Sequence, residues 1–475
     1  MSPPAQASRA ALAGAACLAL SLAFCGPASG SRGLTTGIAD GLYGSPDAAT
    51  RNLWLGKTVE AGARVVRLGA TWSDIAAARP GQPTNPADPA YHFGELDTAI
   101  RSASQHGLTV LLTATGAPAW AEGPGRPVGV PAGTWQPSAA DYGAFGQALA
   151  RRYSGSFPGP DGLGPLPAVR NFQAWNEPNL STYLNPQWNG RAQASAGIYR
   201  GLLNAFYDGV HAVQPGAFVV TAGTAPYGDN PGGARTRPLA FIRQLLCLKG
   251  RKQLKPMRCP NPAKLNALAH HPISTSGGPL RSAINPDDVS TPDLGAVTRV
   301  LRAAERKRTI RPLGGHRPIW VTEFWWNTNP PNTARGMSPS RQARAVEQSL
   351  YLFWKAGAAV AINLEIRDAP FLPSDPLGTN QSGLYYVDDT PKPSLTAFSF
   401  PFVTQRLSKT RVLAWGKAPI GGALSIERRT RGTWRSVARL APGAGAVFSR
   451  KLRFRGKAVL RATVGAQSSL PWAQR

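Results

Sequence analysis

The sequence of 475 residues predicts an α/β fold, a (β/α)8 TIM barrel with a small C-terminal all-β sandwich module. From Leu34 to about residue 400, eight short apolar runs alternate with longer amphipathic segments, a pattern typical of a parallel sheet with helical connections. After Phe402 the pattern changes to short alternating runs separated by turns. Hydrophobic residues make up 42% of the chain, which is enough for a sizeable core and excludes wholesale disorder.

The predicted barrel strands are rich in Val, Ile and Leu, which indicates burial on both faces. They cover residues 36–39, 65–69, 109–113, 171–175, 218–222, 267–270, 318–323 and 360–366. Apolar residues at helical spacing predict helices between them, at 142–153, 192–213, 294–307 and 340–356. Stretches rich in Pro and Gly are interpreted as insertion loops, at 154–167 and 277–292. The C-terminal module is expected to have five or six strands, including 411–415, 423–427, 434–440, 446–454 and 458–464.

The N-terminus has the pattern of an export signal, so the protein is expected to be secreted. Arg9 precedes an apolar run over residues 10–24, and this run is too short to cross a bilayer comfortably. Cys25 follows the run as in a lipoprotein, but Phe24 stands where a small residue is expected, so a lipid anchor is the less favoured alternative. The predicted divisions are a signal peptide at 1–30, a catalytic barrel at 31–402 and an accessory β-sandwich at 403–475.

Two cysteines, Cys247 and Cys259, remain in the expected mature chain. They lie twelve residues apart in a stretch rich in Lys, Arg and Pro, which favours a disulfide formed in an oxidising compartment. Such a bridge would contribute about 3 kcal/mol by restricting the unfolded chain. Two unpaired thiols are the alternative, and a metal site would need ligands that this stretch does not supply.

Two of the chain's nine glutamates stand where the chemistry of a barrel is concentrated. Glu177 follows the fourth predicted strand and is succeeded by Pro178, and Glu323 ends the seventh. The active site of such a barrel collects at the C-terminal ends of the strands, where strands four and seven face each other. Paired carboxyl groups surrounded by aromatic side chains indicate glycoside hydrolysis.

The segment Trp175-Asn176-Glu177-Pro178 resembles the strand-four motif of the clan-A retaining glycoside hydrolases, and Trp320-Val321-Thr322-Glu323 resembles their strand-seven motif. The resemblance covers residues 34–400 and is closest to β-xylosidase- and cellulase-like families. It implies that Glu177 is the general acid and base and that Glu323 is the nucleophile. Further matches are Arg67 on strand two, His271-Pro272 after strand six, and Gly383-Leu384-Tyr385 with Thr390-Pro391-Lys392-Pro393 near the end of the barrel.

Other residues are candidates for binding the sugar. Asn176 is expected to hydrogen-bond a sugar hydroxyl, and Arg67 to favour the ionised form of the nucleophile. His271 is expected either to line the pocket or to pack structurally, and the indole rings of Trp120 and Trp325 are either sugar platforms or core.

The chain departs from the family pattern at two positions. Ile273 stands where a Tyr often follows the His-Pro, and strand eight lacks a terminal Trp. Glu365, near the end of strand eight, is expected to pair with Arg367 or a neighbour rather than to contact substrate. These departures leave the sugar preference open.

The sequence thus predicts a secreted retaining β-glycosidase that acts on a poly- or oligosaccharide without a cofactor or metal. The alternative is a non-catalytic carbohydrate- or surface-binding protein on the same barrel. A Ser or Cys nucleophile has little support, because no Gly-x-Ser-x-Gly elbow follows a strand.

The formal net charge of +28 is concentrated near the C-terminus, where residues 406–475 carry 16 Lys and Arg against one acid, Glu427. Basic and apolar residues alternate in the stretch from Arg450 to Arg455, which predicts a solvated basic face on a sandwich. Because no row of aromatics for base stacking accompanies that face, nucleic acid is not an expected partner. The face is either a simple solvated surface or a contact for acidic cell-wall or extracellular polymers. The oligomeric state is left open.

Overall fold

The computed structural model describes residues 33–274 and 277–474, so the predicted signal peptide and Cys25 lie outside the described residues. Eight parallel strands form the main sheet. The strands are β1 Thr35–Ala39, β2 Val65–Thr71, β3 Thr109–Thr115, β4 Asn171–Ala174, β5 Phe218–Thr221, β6 Leu268–His270, β7 Ile319–Phe324 and β8 Ala358–Leu364.

A helix follows each barrel strand, so the (β/α)8 prediction is confirmed. The helices are α1 Ala48–Glu60, α2 Gly94–Gln105, α3 Ala139–Arg152, α4 Ser195–His211, α5 Pro238–Leu245, α6 Gly295–Arg306, α7 Pro339–Lys355 and α8 Pro393–Ser399. A short helix covers Trp72–Ile75, and 3-10 turns cover Gly41–Gly44, Ala119–Ala121 and Thr291–Asp293. Two short hairpins pair Trp188–Asn189 with Ala192–Gln193 and Leu248–Lys249 with Lys255–Pro256.

The sheet runs in the order β6-β7-β8-β1-β2-β3-β4-β5, and its two edges meet. Parallel bridges join Val220 to Ala267 and Thr224 to His270, which closes the barrel between β5 and β6. Inside the barrel, Trp320 stacks on Phe218 with ring centroids 5.6 Å apart. The lower interior is therefore packed, and the C-terminal ends of the strands are left to form the mouth.

The C-terminal region consists of antiparallel strands that form two sheets. The strands are β9 Phe402–Ser408, β10 Arg411–Lys417, β11 Leu424–Thr430, β12 Thr433–Leu440, β13 Val447–Arg453, β14 Ala458–Val464, β15 Gln467–Ser468 and β16 Trp472–Gln474. One sheet has the order β9-β10-β13, and the other β12-β11-β14-β15 with β16 also on β14. Their facing side chains form a separate core that includes Phe448 and Leu460. The sequence did not predict β9, β15 and β16 individually, and the division into domains remains a prediction.

The β9-β10-β13 sheet packs on the barrel through its other face. Trp415 on β10 lies 5.4 Å from Tyr351 and 5.7 Å from Trp354, both on α7, between ring centroids. Val403 and Trp415 belong to the same core as the barrel helices. The sandwich is thus in close contact with the barrel.

The predicted disulfide between Cys247 and Cys259 is present, with the two Cα atoms 5.8 Å apart. It ties the end of α5 to the loop that precedes β6. Over the ranges that the structure describes, no helix combines the length and apolar character needed to cross a membrane.

Candidate active site

Glu177 and Glu323 meet at the mouth of the barrel. Glu177 lies three residues beyond the end of β4, and Glu323 is the penultimate residue of β7. One carboxylate oxygen of each and a ring nitrogen of His271 lie within 4.8 Å of one another. The two glutamates that the sequence singled out are therefore neighbours, although 146 positions separate them.

The backbone around Glu177 is held in an uncommon conformation. Trp175 and Glu177 have φ angles of +73° and +37°, in the region that side chains other than Gly rarely adopt. The Glu177 N–H donates to the Gly223 carbonyl, at 3.1 Å, on the segment after β5. A Cβ atom at Gly223 would lie 2.0 Å from Nε2 of His271, so only glycine allows this approach. Such local strain is found where a fold aims a functional side chain.

Arg67, on β2, links the two carboxylate segments. Its Nη1 donates to Oε1 of Glu323, and its Nη2 donates to Oδ1 of Asn176 at 2.8 Å. Its Nε donates to Thr113 Oγ1 and Gln173 Oε1, each at 2.9 Å. With the guanidinium held on several sides, the position of Glu323 is fixed relative to β2, β3 and β4.

His271 is buried and contacts both carboxylates. Its Nδ1 lies 2.8 Å from Oε1 of Glu177 and 3.7 Å from Oε2 of Glu323, and its Nε2 lies 3.0 Å from Thr322 Oγ1. Gln173 Nε2 donates to the same Thr322 oxygen at 3.0 Å. A ring with its hydrogen on Nδ1 can donate to Glu177 while the Thr322 hydroxyl donates to Nε2. His271 is 0% exposed and contacts both glutamates, and the choice between its two expected roles stays a prediction.

The neighbouring histidine has a different environment. His270 lies on the opposite side of the strand, where its ring nitrogens contact Thr224 Oγ1 at 2.8 Å and the Val289 carbonyl at 3.0 Å. Burial lowers the pKa of His270 to about 3, so this imidazole stays neutral. His270 is a structural residue, and His271 is the one that faces the mouth.

Electrostatics favour an ionised Glu323. Burial raises the pKa of this carboxyl, but the charge of His271 in its protonated form and the charge of Arg67 outweigh burial and leave the pKa below its ordinary value. Glu177, His271 and Glu323 also have the composition of a metal site. Arg67 already supplies the positive charge at Glu323, however, and a guanidinium in that place opposes a second cation.

Sequence reasoning missed Tyr183, which comes from the loop after β4. Burial raises the pKa of its hydroxyl, and the negative charges of Glu177 and Glu323 raise it further, while a hydrogen bond with the side chain of Asn176 lowers it. The tyrosine near the carboxylates thus comes from this loop. Ile273 occupies the position after strand six where the family pattern has a tyrosine. A tyrosine a few residues after Asn-Glu-Pro was the available signal, but spacing along a loop does not predict where a side chain points.

The predicted tryptophans differ in their surroundings. Trp120 donates from Nε1 to the Ala76 carbonyl at 2.8 Å and packs edge-on against the buried Trp72. Trp325 is half-buried and lines a cavity beside the mouth, whereas Trp326 is almost fully buried. Trp325 thus has a surface that a ligand can reach, and a role for Trp120 in binding remains a prediction.

Glu365 is expected to pair with Arg367 or a neighbour, and its partner is a neighbour: it accepts a hydrogen bond from the backbone N–H of Ala369. Arg367 instead forms an ion pair with Asp389, at 2.6 Å. Glu365 has φ of +73°, and within the described part of the chain its Oε2 is buried without a hydrogen-bond partner. Burial and the nearby charges of Asp40 and Asp368 raise the pKa of Glu365 to about 8.

A cavity of about 540 Å³ opens from Arg67 toward the start of α2. It is large enough for part of an oligosaccharide chain. Its lining includes the carboxylates of Asp40, Asp74 and Glu95. Arg67, which donates to Glu323, connects the lining of this cavity to the pair of glutamates.

The chain thus forms a (β/α)8 barrel that carries two neighbouring carboxylates at the ends of strands four and seven. A family 39 glycoside hydrolase from Bacteroides cellulosilyticus WH2 matches with a TM-score of 0.53 and 16% identity, over 89% of this chain and 81% of that one. A glucosidase from Croceicoccus marinus matches with a TM-score of 0.50 and 12% identity, over 92% and 97% of the two chains. No protein-family model matches the sequence, and no curated protein matches it either. These similar structures are glycoside hydrolases, as the sequence resemblance predicts, and they confirm the fold.

Proposed function

We propose that the protein is a retaining glycoside hydrolase that cleaves β-linked glycosides, with Glu323 as nucleophile and Glu177 as general acid and base. The observation that carries the proposal is the approach of their carboxylate oxygens to within 4.8 Å at the mouth of the barrel. Retaining enzymes hold the two carboxyl groups about 5–5.5 Å apart, whereas inverting enzymes need about 6.5–9.5 Å to admit a water. An approach within 4.8 Å therefore supports the retaining arrangement over the inverting one.

In the first step, a Glu323 oxygen bonds to the anomeric carbon while the bond to the leaving oxygen breaks and Glu177 gives that oxygen its proton. In the second step, Glu177 takes a proton from water, whose oxygen bonds to the anomeric carbon and releases Glu323. The Nδ1–H of His271 stabilises the Glu177 carboxylate that exists between the two steps. Arg67 keeps Glu323 ionised and in position for the attack.

A panel of aryl β-glycosides with gluco, xylo, galacto and manno configurations tests the proposal. We expect the wild-type protein to release the aryl group from at least one, and Glu323→Ala to lose about 10³-fold or more in kcat/KM. The matched control is Glu60→Ala, which removes an exposed glutamate at the end of α1 and should leave the rate unchanged. NMR of the first-formed product should show the anomeric configuration of the substrate.

The same panel tests the non-catalytic alternative. No release from any glycoside, together with measurable sugar binding, would show a carbohydrate-binding protein on this barrel. A product of inverted configuration would leave the hydrolase proposal standing and refute the double displacement.

We also propose that the protein works outside the cytoplasm. The pattern of residues 1–30 supports export, and a disulfide between Cys247 and Cys259 is typical of an oxidising compartment. The exposed Arg450, Lys451 and Arg453 on β13 are available to acidic polymers at the cell surface. A simple solvated surface remains the alternative role for these residues.

A further inference from the structure

Another cavity, of about 210 Å³, adjoins the proposed catalytic pair beside β6 and β7. One wall includes Ser274, three residues after His271, and another includes Trp325, two residues after Glu323. An extended residue spans at most about 3.6 Å, so the backbone of Trp325 lies within about 7 Å of that of Glu323. Both walls of the cavity therefore continue directly along the chain from residues of the candidate active site.

An arginine lies on the aromatic wall of this cavity. The guanidinium of Arg335 is 4.8 Å from the centre of the Trp325 ring. Its Nη2 donates to the Leu377 carbonyl at 2.9 Å and to Asn380 Oδ1 at 3.1 Å. Its Nε is buried and has no hydrogen-bond partner among the described residues. Neutral groups thus position Arg335, and its charge remains available to a ligand.

A buried amide adds a second donor. Asn327 is 1% exposed, and its Oδ1 accepts the backbone N–H of Gln381 at 3.0 Å. That bond fixes the orientation of the amide and leaves Nδ2 as the free donor. Within residues 33–274 and 277–474, Nδ2 has no partner, although Asn327 lines the cavity. A ligand oxygen would satisfy this donor, which is otherwise costly to bury.

The charge of the cavity is positive. Arg335 and Arg341 both line it, and none of the described residues in its lining is acidic. Asp375 and Glu365 are the acidic residues that interact electrostatically with Arg335. Asp375 is exposed to solvent, and Glu365 has its pKa raised to about 8 by burial and is therefore mostly neutral at pH 7. The 540 Å³ cavity, by contrast, has three carboxylates in its lining.

We propose that the cavity beside Trp325 binds a sugar residue that bears a carboxylate, so that the substrate is an acidic glycan. The sugar ring would stack on Trp325, and its carboxylate would accept hydrogen bonds from Arg335 and from Nδ2 of Asn327. The net charge of +28 would attract such a polymer to the protein. This assignment rests on the proposed glycosidase function, because a sugar bound in the cavity is part of a substrate only if Glu177 and Glu323 cleave the glycan.

The test measures binding to Glu323→Gln protein, so that it does not depend on turnover. The probes are oligosaccharides from glucuronoxylan, hyaluronan and polymannuronate, each before and after chemical reduction of its carboxyl groups. We expect at least one acidic oligosaccharide to bind about 10-fold or more tightly than its reduced form by calorimetry. Added salt should reduce the difference.

Two further substitutions locate the effect. Adding Arg335→Gln or Asn327→Asp to the Glu323→Gln protein should abolish the preference for the acidic form, since each substitution removes a hydrogen-bond donor. Asn327→Asp also adds a negative charge, which repels a carboxylate. The control, Arg306→Gln at the exposed end of α6, should retain the preference. Circular dichroism and the melting temperature identify a variant that fails to fold. In that case the binding preference of the other variant decides whether the cavity recognises the carboxylate.

Acidic forms that bind no better than reduced forms would overturn the assignment, as would a preference that persists in both variants. If the wild-type protein hydrolyses none of the aryl glycosides, the catalytic proposal is refuted instead. Binding is measured separately and does not depend on that result. The two failures are therefore distinguishable.

Discussion

At the mouth of the barrel, Arg67 has hydrogen-bond acceptors on several sides, and His271 contacts an oxygen at each ring nitrogen. At the other end, where the sandwich packs on the barrel, Lys417 is 4% exposed. Among the described residues, its Nζ pairs with Thr36 Oγ1 at 3.2 Å, at the start of β1. Glu347, also buried there, pairs with Arg344 at 2.8 Å through one oxygen.

The difference shows how a fold uses buried charge. A buried network whose members satisfy one another fixes side-chain positions, which the chemistry at the mouth requires. A buried charge with fewer partners costs stability and titrates near neutral pH. Burial and the charge of Arg64 lower the pKa of Lys417 to about 8, and burial raises that of Glu347 to about 8.

The largest effect at the mouth is expected from Glu177→Ala. Loss of the acid should lower kcat/KM by about 10²–10⁴-fold for glycosides with poor leaving groups, and much less for those with good ones. Added azide should restore part of the rate, because it replaces water and needs no base. Steady-state rates over a series of aryl leaving groups test this role, and an equal loss across the series would contradict it.

A smaller loss is expected from Gly223→Ala, which disturbs the network without removing a charged member. The new Cβ would require His271 to move, since it would lie 2.0 Å from Nε2. A displacement of about 1 Å can cost about 100-fold in rate, so we expect a loss of that order in kcat with the fold retained. The matched control, Gly56→Ala on α1, has open space around the added Cβ. Similar rates for the two variants would show that His271 needs no such placement.

The smallest effect is expected at the sandwich contact, where Lys417→Met should raise stability rather than lower activity. Replacing a poorly paired buried charge with an apolar side chain should raise the free energy of unfolding by about 1–3 kcal/mol at pH 7. Between pH 8 and the ordinary pKa of 10.5, the folded wild-type protein releases a proton that the unfolded chain keeps. Wild-type stability should therefore rise over that range, and the variant should lack this rise.

Denaturant titrations at pH 7 and pH 10 measure both effects. Lys409→Met, which removes an exposed lysine between β9 and β10, is the control and should change little. A loss of stability at pH 7 confined to Lys417→Met would mean that the lysine contributes more through Thr36 than burial costs. The contrast between the two ends of the barrel would then be wrong.

The periodicity of the sequence was sufficient for most of the fold. Each of the eight predicted barrel strands overlaps an observed one, because buried parallel strands are continuous apolar runs bounded by turns. The location of Glu177 and Glu323 in the fold could be predicted because they follow or end the fourth and seventh strands. The active site of such a barrel lies at the C-terminal ends of its strands. The strand β9 was missed, although Pro401 directly precedes it, because apolar and polar residues do not alternate along Phe402–Ser408.

The partners of these residues were decided by tertiary structure. Tyr183 and Thr322 reach the two candidate carboxylates or His271 through loop and strand geometry that no local pattern encodes. The pairing of Arg367 with Asp389 rather than Glu365 likewise depended on where a loop returns. Apolar spacing and chain order fix strands locally, whereas hydrogen bonds and charge environments depend on groups brought together from distant parts of the chain.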